Sequence, residues 1–386
     1  MVVVGGGPVG SYTAGRLAGL GYNVAVLERQ RQVGERVCCT GIIGLECAQA
    51  FGIKSTVLRE ANSARLYSPS GDTLRVRRPE TQALILDRAA FDKAMAKRAQ
   101  SGGAGYLLGI LVRDIKTEQD RVSIEVSRDG TVSYIEARVA VIASGFGLRL
   151  TEKLGLGRVG DFVAGAQVDV ATAGVDEVEV YFGREIAPGF FAWLVPTSPG
   201  ISRAGLLSRR DPGFYLKKLL ASWRDAGKVI SINSEISYGG IPLKPLPRTY
   251  GQRLLVVGDA AGQVKPTSGG GIYYGLLCAD IAVATLHRAL AEDNLTAANL
   301  AGYQREWRKK LGRELRTGYW ARKLFERLSD RRIDRLFDMV KANGIDEALL
   351  RARDLSFDWH GRAVLKLLGH VAVSWAVNLV KIPFGR

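Results

Sequence analysis

The sequence predicts an α/β protein: a Rossmann-type parallel sheet, interleaved with a mostly antiparallel sheet and followed by a helical C-terminal region. Three observations carry that expectation. Residues 1–4 form a bare apolar strand that runs through a glycine-rich turn into a helix over 11–21 and a second strand at 23–27, which is a βαβ unit. Residues 162–240 alternate apolar and polar positions, as at 177–182, and read as antiparallel strands interrupted by a helix over 212–226. A buried strand at 253–257 then returns to the parallel pattern, and an apolar helix over 272–290 opens a run of helices to the end.

Each remaining element follows from local pattern. Residues 83–99 read as a short strand and a helix, and 122–126 with 133–141 as a hairpin turned by Asp129-Gly130. The apolar strand 139–143 ends in Ser144-Gly145. At 386 residues the chain is long for one domain, on a prior of about 150 residues per domain. The expected division is a discontinuous dinucleotide-binding domain over 1–160 and 241–295, a substrate domain over 161–240, and a basic helical region over 296–386. Residues 60–85 are candidates for the substrate sheet.

Composition excludes several classes. With 47% hydrophobic and 24% charged residues the chain is globular rather than disordered. No run reaches the 18 or more apolar residues of a membrane span. Residues 1–10 already read as strand and phosphate loop, so no signal peptide is expected and the expected compartment is cytoplasmic. Cys38, Cys39, Cys47 and Cys278 lack ligand spacing, so neither zinc nor a disulfide framework is expected.

Gly5-x-Gly7-x-x-Gly10 follows a strand, opens a helix, and precedes Glu28 at the end of the second strand. Gly5 makes the tight turn, Gly7 lets a pyrophosphate approach the backbone, and Gly10 allows close helix–strand packing. Glu28 is placed to accept hydrogen bonds from an adenosine ribose.

A second element selects the cofactor. The run 254–261, Leu-Leu-Val-Val-Gly-Asp-Ala-Ala, followed by Pro266 and then Gly269, Gly270, Gly271 and Ile272, resembles the second flavin motif of the para-hydroxybenzoate hydroxylase superfamily. The resemblance implies FAD, with Asp259 on the ribityl chain and the Gly271-Ile272 helix start against the pyrimidine end of the flavin. Asp87-Arg88-Ala89 resembles the superfamily's motif after the first domain, whose arginine reaches the cofactor. The likeness also carries cofactor contacts onto Val9, Thr40, Gly41 and Val112.

Three further features resemble the geranylgeranyl reductase family. The run 36–41, Arg-Val-Cys-Cys-Thr-Gly, lies where those reductases carry a cysteine beside the flavin, and Cys39 fits the spacing better than Cys38. Phe191-Ala192-Trp193-Leu194-Val195-Pro196 and then Gly205 resemble the family's Tyr-x-Trp-x-Phe-Pro and Gly-x-Gly elements, departing at Phe191, Val195 and Leu207. The triple glycine before Ile272 is the third. The resemblance implies that reduced flavin saturates C=C bonds of a polyprenyl group in a lipid, quinone or chlorophyll-type compound. It makes Cys39 the candidate catalytic residue, and Phe191, Trp193, Pro196 and Gly205 the candidate substrate residues. A flavin monooxygenase or halogenase on the same scaffold is the alternative. The electron donor, NAD(P)H or ferredoxin, stays open because no second glycine fingerprint exists.

Charge adds a partner. The chain carries +16, and residues 303–341 hold thirteen basic against six acidic side chains. Trp307, Leu311, Leu315, Tyr319, Leu324 and Leu328 recur at near-helical spacing among those cations, and residues 363–384 are apolar around Trp375. The expectation is peripheral attachment to an anionic membrane surface, with no nucleic acid.

Overall fold

The computed structural model describes residues 1–147, 149–342 and 357–359. Its first layer is a six-stranded sheet in the spatial order Tyr250–Gly251, Leu254–Val256, Ala140–Ile142, Val2–Val4, Ala25–Glu28, Gly105–Leu108. All pairs are parallel except the Tyr250–Gly251 edge. Strands buried on both faces must be apolar throughout, and Val3, Val26, Val141 and Leu255 are 1% exposed or less. Helices Pro8–Gly19, Arg88–Ser101 and Ile272–Ala291 cover one face. The three strands Leu111–Thr117, Val122–Arg128 and Thr131–Ala137 cover the other through Ile115, Ile124 and Val126. Asp129 and Gly130 both take positive φ in the hairpin turn between the last two, as a two-residue hairpin of matching twist requires.

The first helix starts at Pro8, three residues earlier than the sequence pattern suggests. Gly7 is extended and Pro8 fills the first helical position, where its missing N–H costs nothing. The phosphate turn therefore runs directly into the helix.

The second layer is a large sheet in which Phe162–Thr172, Ile201–Ser208, Phe191–Ser198 and Val178–Phe182 pair antiparallel in that order. Ser63–Tyr67 adds parallel to Val178–Phe182 and carries Thr73–Arg77 at the edge. Ala83–Leu86 instead joins Ile42–Gly44 and Val57–Ala61 in a separate small sheet. Side chains alternate across the large sheet. Ala192, Leu194, Ala204 and Leu206 face the helix Pro212–Asp225, while Phe191, Trp193 and Leu207 turn the other way into a second apolar cluster.

The long helix Ala297–Glu326 corrects one expectation. Of the apolar residues read as a membrane-facing stripe, Trp307, Leu311 and Leu315 are buried in the protein core together with Leu300 and Tyr303, whereas Leu324 is exposed. The Tyr303 hydroxyl donates to Val256 O at 2.9 Å and the Trp307 indole to Thr249 Oγ1 at 2.9 Å. These contacts hold the helix to the parallel sheet. Residues 363–384 and Trp375 lie outside the described residues.

Candidate active site

A cleft opens where Gly5, Gly6 and Gly7, Glu28, Ala143–Gly145 and Val257–Asp259 converge at the carboxyl ends of the parallel strands. Ligands in open α/β sheets bind at this position. A side chain at Gly5 would strike Ala143 O, and one at Gly10 would strike Gly5 O, whereas the Gly7 position faces open space. That combination suits a pyrophosphate lying on the backbone. Glu28 accepts from Gly6 N at 2.7 Å and Gln30 N at 2.9 Å, which fixes the carboxylate and leaves lone pairs for a ribose. Val9 lines the cleft, and its side chain packs beside Gly258 and Gly275. Val112, on the strand Leu111–Thr117, lies outside the residues that line the cleft and packs against the core below.

At the far end the carboxyl of Asp259 packs against Gly271, where a Cβ would overlap it. Burial pushes this carboxyl up to about 6, and Arg88 pulls in the opposite direction. Among the described residues no protein donor satisfies it, which suits a ribityl hydroxyl. The loop between is closed by Gly269 N donating to Lys265 O at 2.8 Å and Lys265 N to Gly270 O at 3.1 Å, and it delivers the N-terminus of the helix Ile272–Ala291 to the cleft wall. Arg88 is buried, with Nη2 on Asp92 at 2.6 Å and a contact to the Cys39 side chain, while its Nε has no partner. An orphaned guanidinium N–H, an unpartnered carboxyl and an open glycine turn along one cleft fit FAD.

Cys38 and Cys39 both line the cleft but face different elements. Cys39 meets Arg88. Cys38 sits against Gly239 and Ser237, and burial pushes its thiol up. Gly41 takes φ +81°, and a side chain there would also meet Leu86 O at 2.7 Å, so glycine fits this position on both counts. Gln167 and Arg203, which no sequence signal picked out, hold this turn from the large sheet. Gln167 accepts from Thr40 Oγ1 at 3.3 Å, and Arg203 Nη1 donates to Thr40 O at 3.1 Å.

Phe191 and Trp193 share the second apolar cluster with Phe190, Leu207 and Leu243. Leu207 stands 3.0 Å from the Cβ position of Gly269, so this cluster abuts the glycine loop 269–271 at one end of the cleft. Trp193 pairs with Gly205 across the strands, and its indole N–H is buried without a partner. Pro196 is buried in the same strand.

No sequence signal singled out the buried pair Lys265–Asp358. Their side chains are 5% and 1% exposed and 3.7 Å apart, and Lys265 Nζ also donates to Phe357 O at 2.9 Å. Cys47 N donates to Asp358 at 3.3 Å and Trp359 Nε1 to Glu46 at 2.7 Å. The segment 357–359 is therefore fastened behind the flavin loop.

Fold and cleft together define a flavoprotein that binds FAD, and the FAD binding domain family matches residues 1–207. The chain is 32% identical over 362 residues to digeranylgeranylglycerophospholipid reductase 2 of Methanothermobacter thermautotrophicus, covering 89% of this chain and 92% of that one. It is 28% identical over 361 residues to digeranylgeranylglycerophospholipid reductase of Methanocaldococcus jannaschii, covering 90% and 92%. Among solved structures, a geranylgeranyl bacteriochlorophyll reductase-like protein from Thermoplasma acidophilum shares the fold at a TM-score of 0.83 and 22% identity, over 95% of each chain. A flavin-dependent halogenase shares it at 0.67 and 19%, over 98% of this chain and 77% of that one. The chain belongs to the geranylgeranyl reductase family of FAD-dependent oxidoreductases.

Proposed function

We propose that this enzyme saturates the prenyl tails of a membrane glycerophospholipid of the digeranylgeranyl type, working while attached to the membrane surface. The observation that carries it is the position of the cluster around Phe191, Trp193 and Leu207, directly beside the flavin loop at Gly269. An isoprenoid tail offers no hydrogen bonds and needs flat apolar walls. Curated relatives with this substrate in their names support the same reading.

Saturating one C=C bond places a hydride on one carbon and a proton on the other. Bound FAD, once reduced, supplies the hydride. The chain's own residues orient and enclose. Phe191 and Trp193 hold the tail against the loop, Arg203 and Gln167 fix the Cys39–Thr40 turn, and Cys39 lines the cleft beside Arg88, where it positions the reacting bond or relays its proton. Exposed cations of the 303–341 tract attach the protein to anionic bilayers, at about 1 kcal/mol for each side chain near the surface.

The test is anaerobic incubation of the dithionite-reduced holoenzyme with digeranylgeranyl glycerophospholipid, followed by mass spectrometry. A gain of two hydrogens per bond is expected. Unchanged lipid, or substrate oxygenation once oxygen is admitted, overturns the reductase reading. Vesicle flotation should weaken at high salt, and a protein that floats free of anionic vesicles at low salt overturns the membrane reading.

A further inference from the structure

Beside the tail cluster, residues 243–247 and the long helix Ala297–Glu326 line a groove of about 660 Å³. Its charge has one sign. Lys244, Arg308, Lys309, Arg313 and Arg316 line it, and no Asp or Glu does. Among the described residues Lys309, Arg313 and Arg316 form no ion pair, and all three are exposed. Their spacing of four and then three residues sets them on one helix face, opposite the buried stripe of Trp307, Leu311 and Leu315. Cations at such spacing repel one another, so the groove concentrates positive charge that no described residue pairs with. Arg308 is fixed at the edge by donating to Pro247 O at 2.9 Å.

The groove also shares a wall with the tail cluster. Leu243 and Tyr319 line it and, on their other sides, pack with Phe190, Leu207 and Trp193. Trp320, 61% exposed, stands one turn beyond Arg316, and Leu324, 54% exposed, one turn further. Exposed aromatic and apolar side chains beside cations are what a headgroup boundary accommodates. A cationic groove and an apolar cluster divided by Leu243 and Tyr319 match the two halves of one amphiphile.

We propose that this groove binds the phosphate headgroup of the substrate lipid, with the tail passing Leu243 and Tyr319 to reach Phe191 and Trp193; the proposal rests on the lipid-tail reading above. Arg313 and Arg316 supply planar forks that match phosphate oxygens, and Lys309 supplies a point charge.

The test uses the FAD-loaded full chain and calorimetric titration with a monomeric short-chain phosphatidic acid and its matching diacylglycerol. The native protein should prefer the phosphatidic acid by about tenfold or more, and the Lys309→Gln/Arg313→Gln/Arg316→Gln variant should bind the two alike, with flavin absorbance and unfolding temperature unchanged. Equal preference in native and variant protein overturns the proposal. So does inorganic phosphate binding as tightly as the lipid, which makes the groove a free-anion site. A preference seen only on anionic vesicles and never with monomeric lipid also overturns it, because the cations then contact a membrane surface and not one headgroup. Failure of the reduction assay would sink the substrate chemistry while these binding outcomes still stand on their own.

Discussion

The indole of Trp193 covers Gly205 so closely that a Cβ on Gly205 would stand 2.5 Å from Cζ2 and 2.7 Å from Cε2. The glycine on one strand therefore sets where the aromatic wall of the neighbouring strand can lie. Gly205→Ala should push the indole off its seat and cost about 1–3 kcal/mol, as overpacking does. Thermal unfolding checks the stability, and flavin absorbance should be unchanged. Turnover of the prenyl lipid should fall with FAD still bound; full activity would mean Trp193 does not shape the tail site.

Asp259 should trade stability for cofactor. Its folded carboxyl lies near 6, against 3.8 for an ordinary aspartate, chiefly through burial. Between those values the folded apoprotein keeps a proton that the unfolded chain has released, so this group's contribution to stability falls as pH rises from about 4 to 6. Asp259→Asn should remove that slope and stabilise the apoprotein relative to the native one above pH 6. Asp259→Ala, which removes the acceptor altogether, should bind FAD roughly 10- to 100-fold more weakly, the equivalent of one charge-assisted hydrogen bond. Melting curves of the apoproteins across pH and titration with FAD give both readings.

Glu28→Ala should also weaken FAD binding by about one order of magnitude or more, because it removes the ribose acceptor and frees Gly6 N and Gln30 N. Unchanged affinity in calorimetry would refute the adenosine end of the site.

Cys39→Ser should slow C=C saturation while FAD stays bound, and Cys38→Ser should matter less, since Cys38 faces Ser237 and Gly239 rather than Arg88. Single-turnover reduction of the lipid by each reduced variant compares them. If Cys38→Ser is the slower enzyme, the assignment of the two thiols is reversed.

Asp358→Ala leaves Lys265 as a buried cation with its carboxylate removed. Breaking such a pair costs about 3–5 kcal/mol, whereas replacing both members with apolar residues of similar volume is close to neutral. Denaturant unfolding should therefore show a large loss for Asp358→Ala and recovery in Lys265→Met/Asp358→Leu. Equal stability of the single variant and the native protein would show that segment 357–359 does not anchor the flavin loop.

Much of this was legible in local sequence. Residues 1–28 announce strand, turn, helix and acidic strand end because a pyrophosphate turn tolerates only glycine where backbone meets backbone, as the overlaps at Gly5 and Gly10 show. The strand and loop around Asp259 announce the other end of the cofactor for the same reason. The direction of the long helix was not legible. Leu311, Leu315 and Arg316 have the same periodicity whether the apolar stripe meets lipid or protein, and only the packing of Tyr303 and Trp307 on the sheet decided that it is buried. The contacts of Gln167 and Arg203 with the Cys39–Thr40 turn span more than 120 residues, and that of Asp358 with Lys265 more than 90. Such pairings leave no mark in local pattern, since a polar side chain on a strand reads the same whether it meets water or a turn folded back from a distant part of the chain. Motif chemistry is local because one cofactor group touches a few consecutive residues; the walls of the site come from distant strands, and only the tertiary fold brings them together.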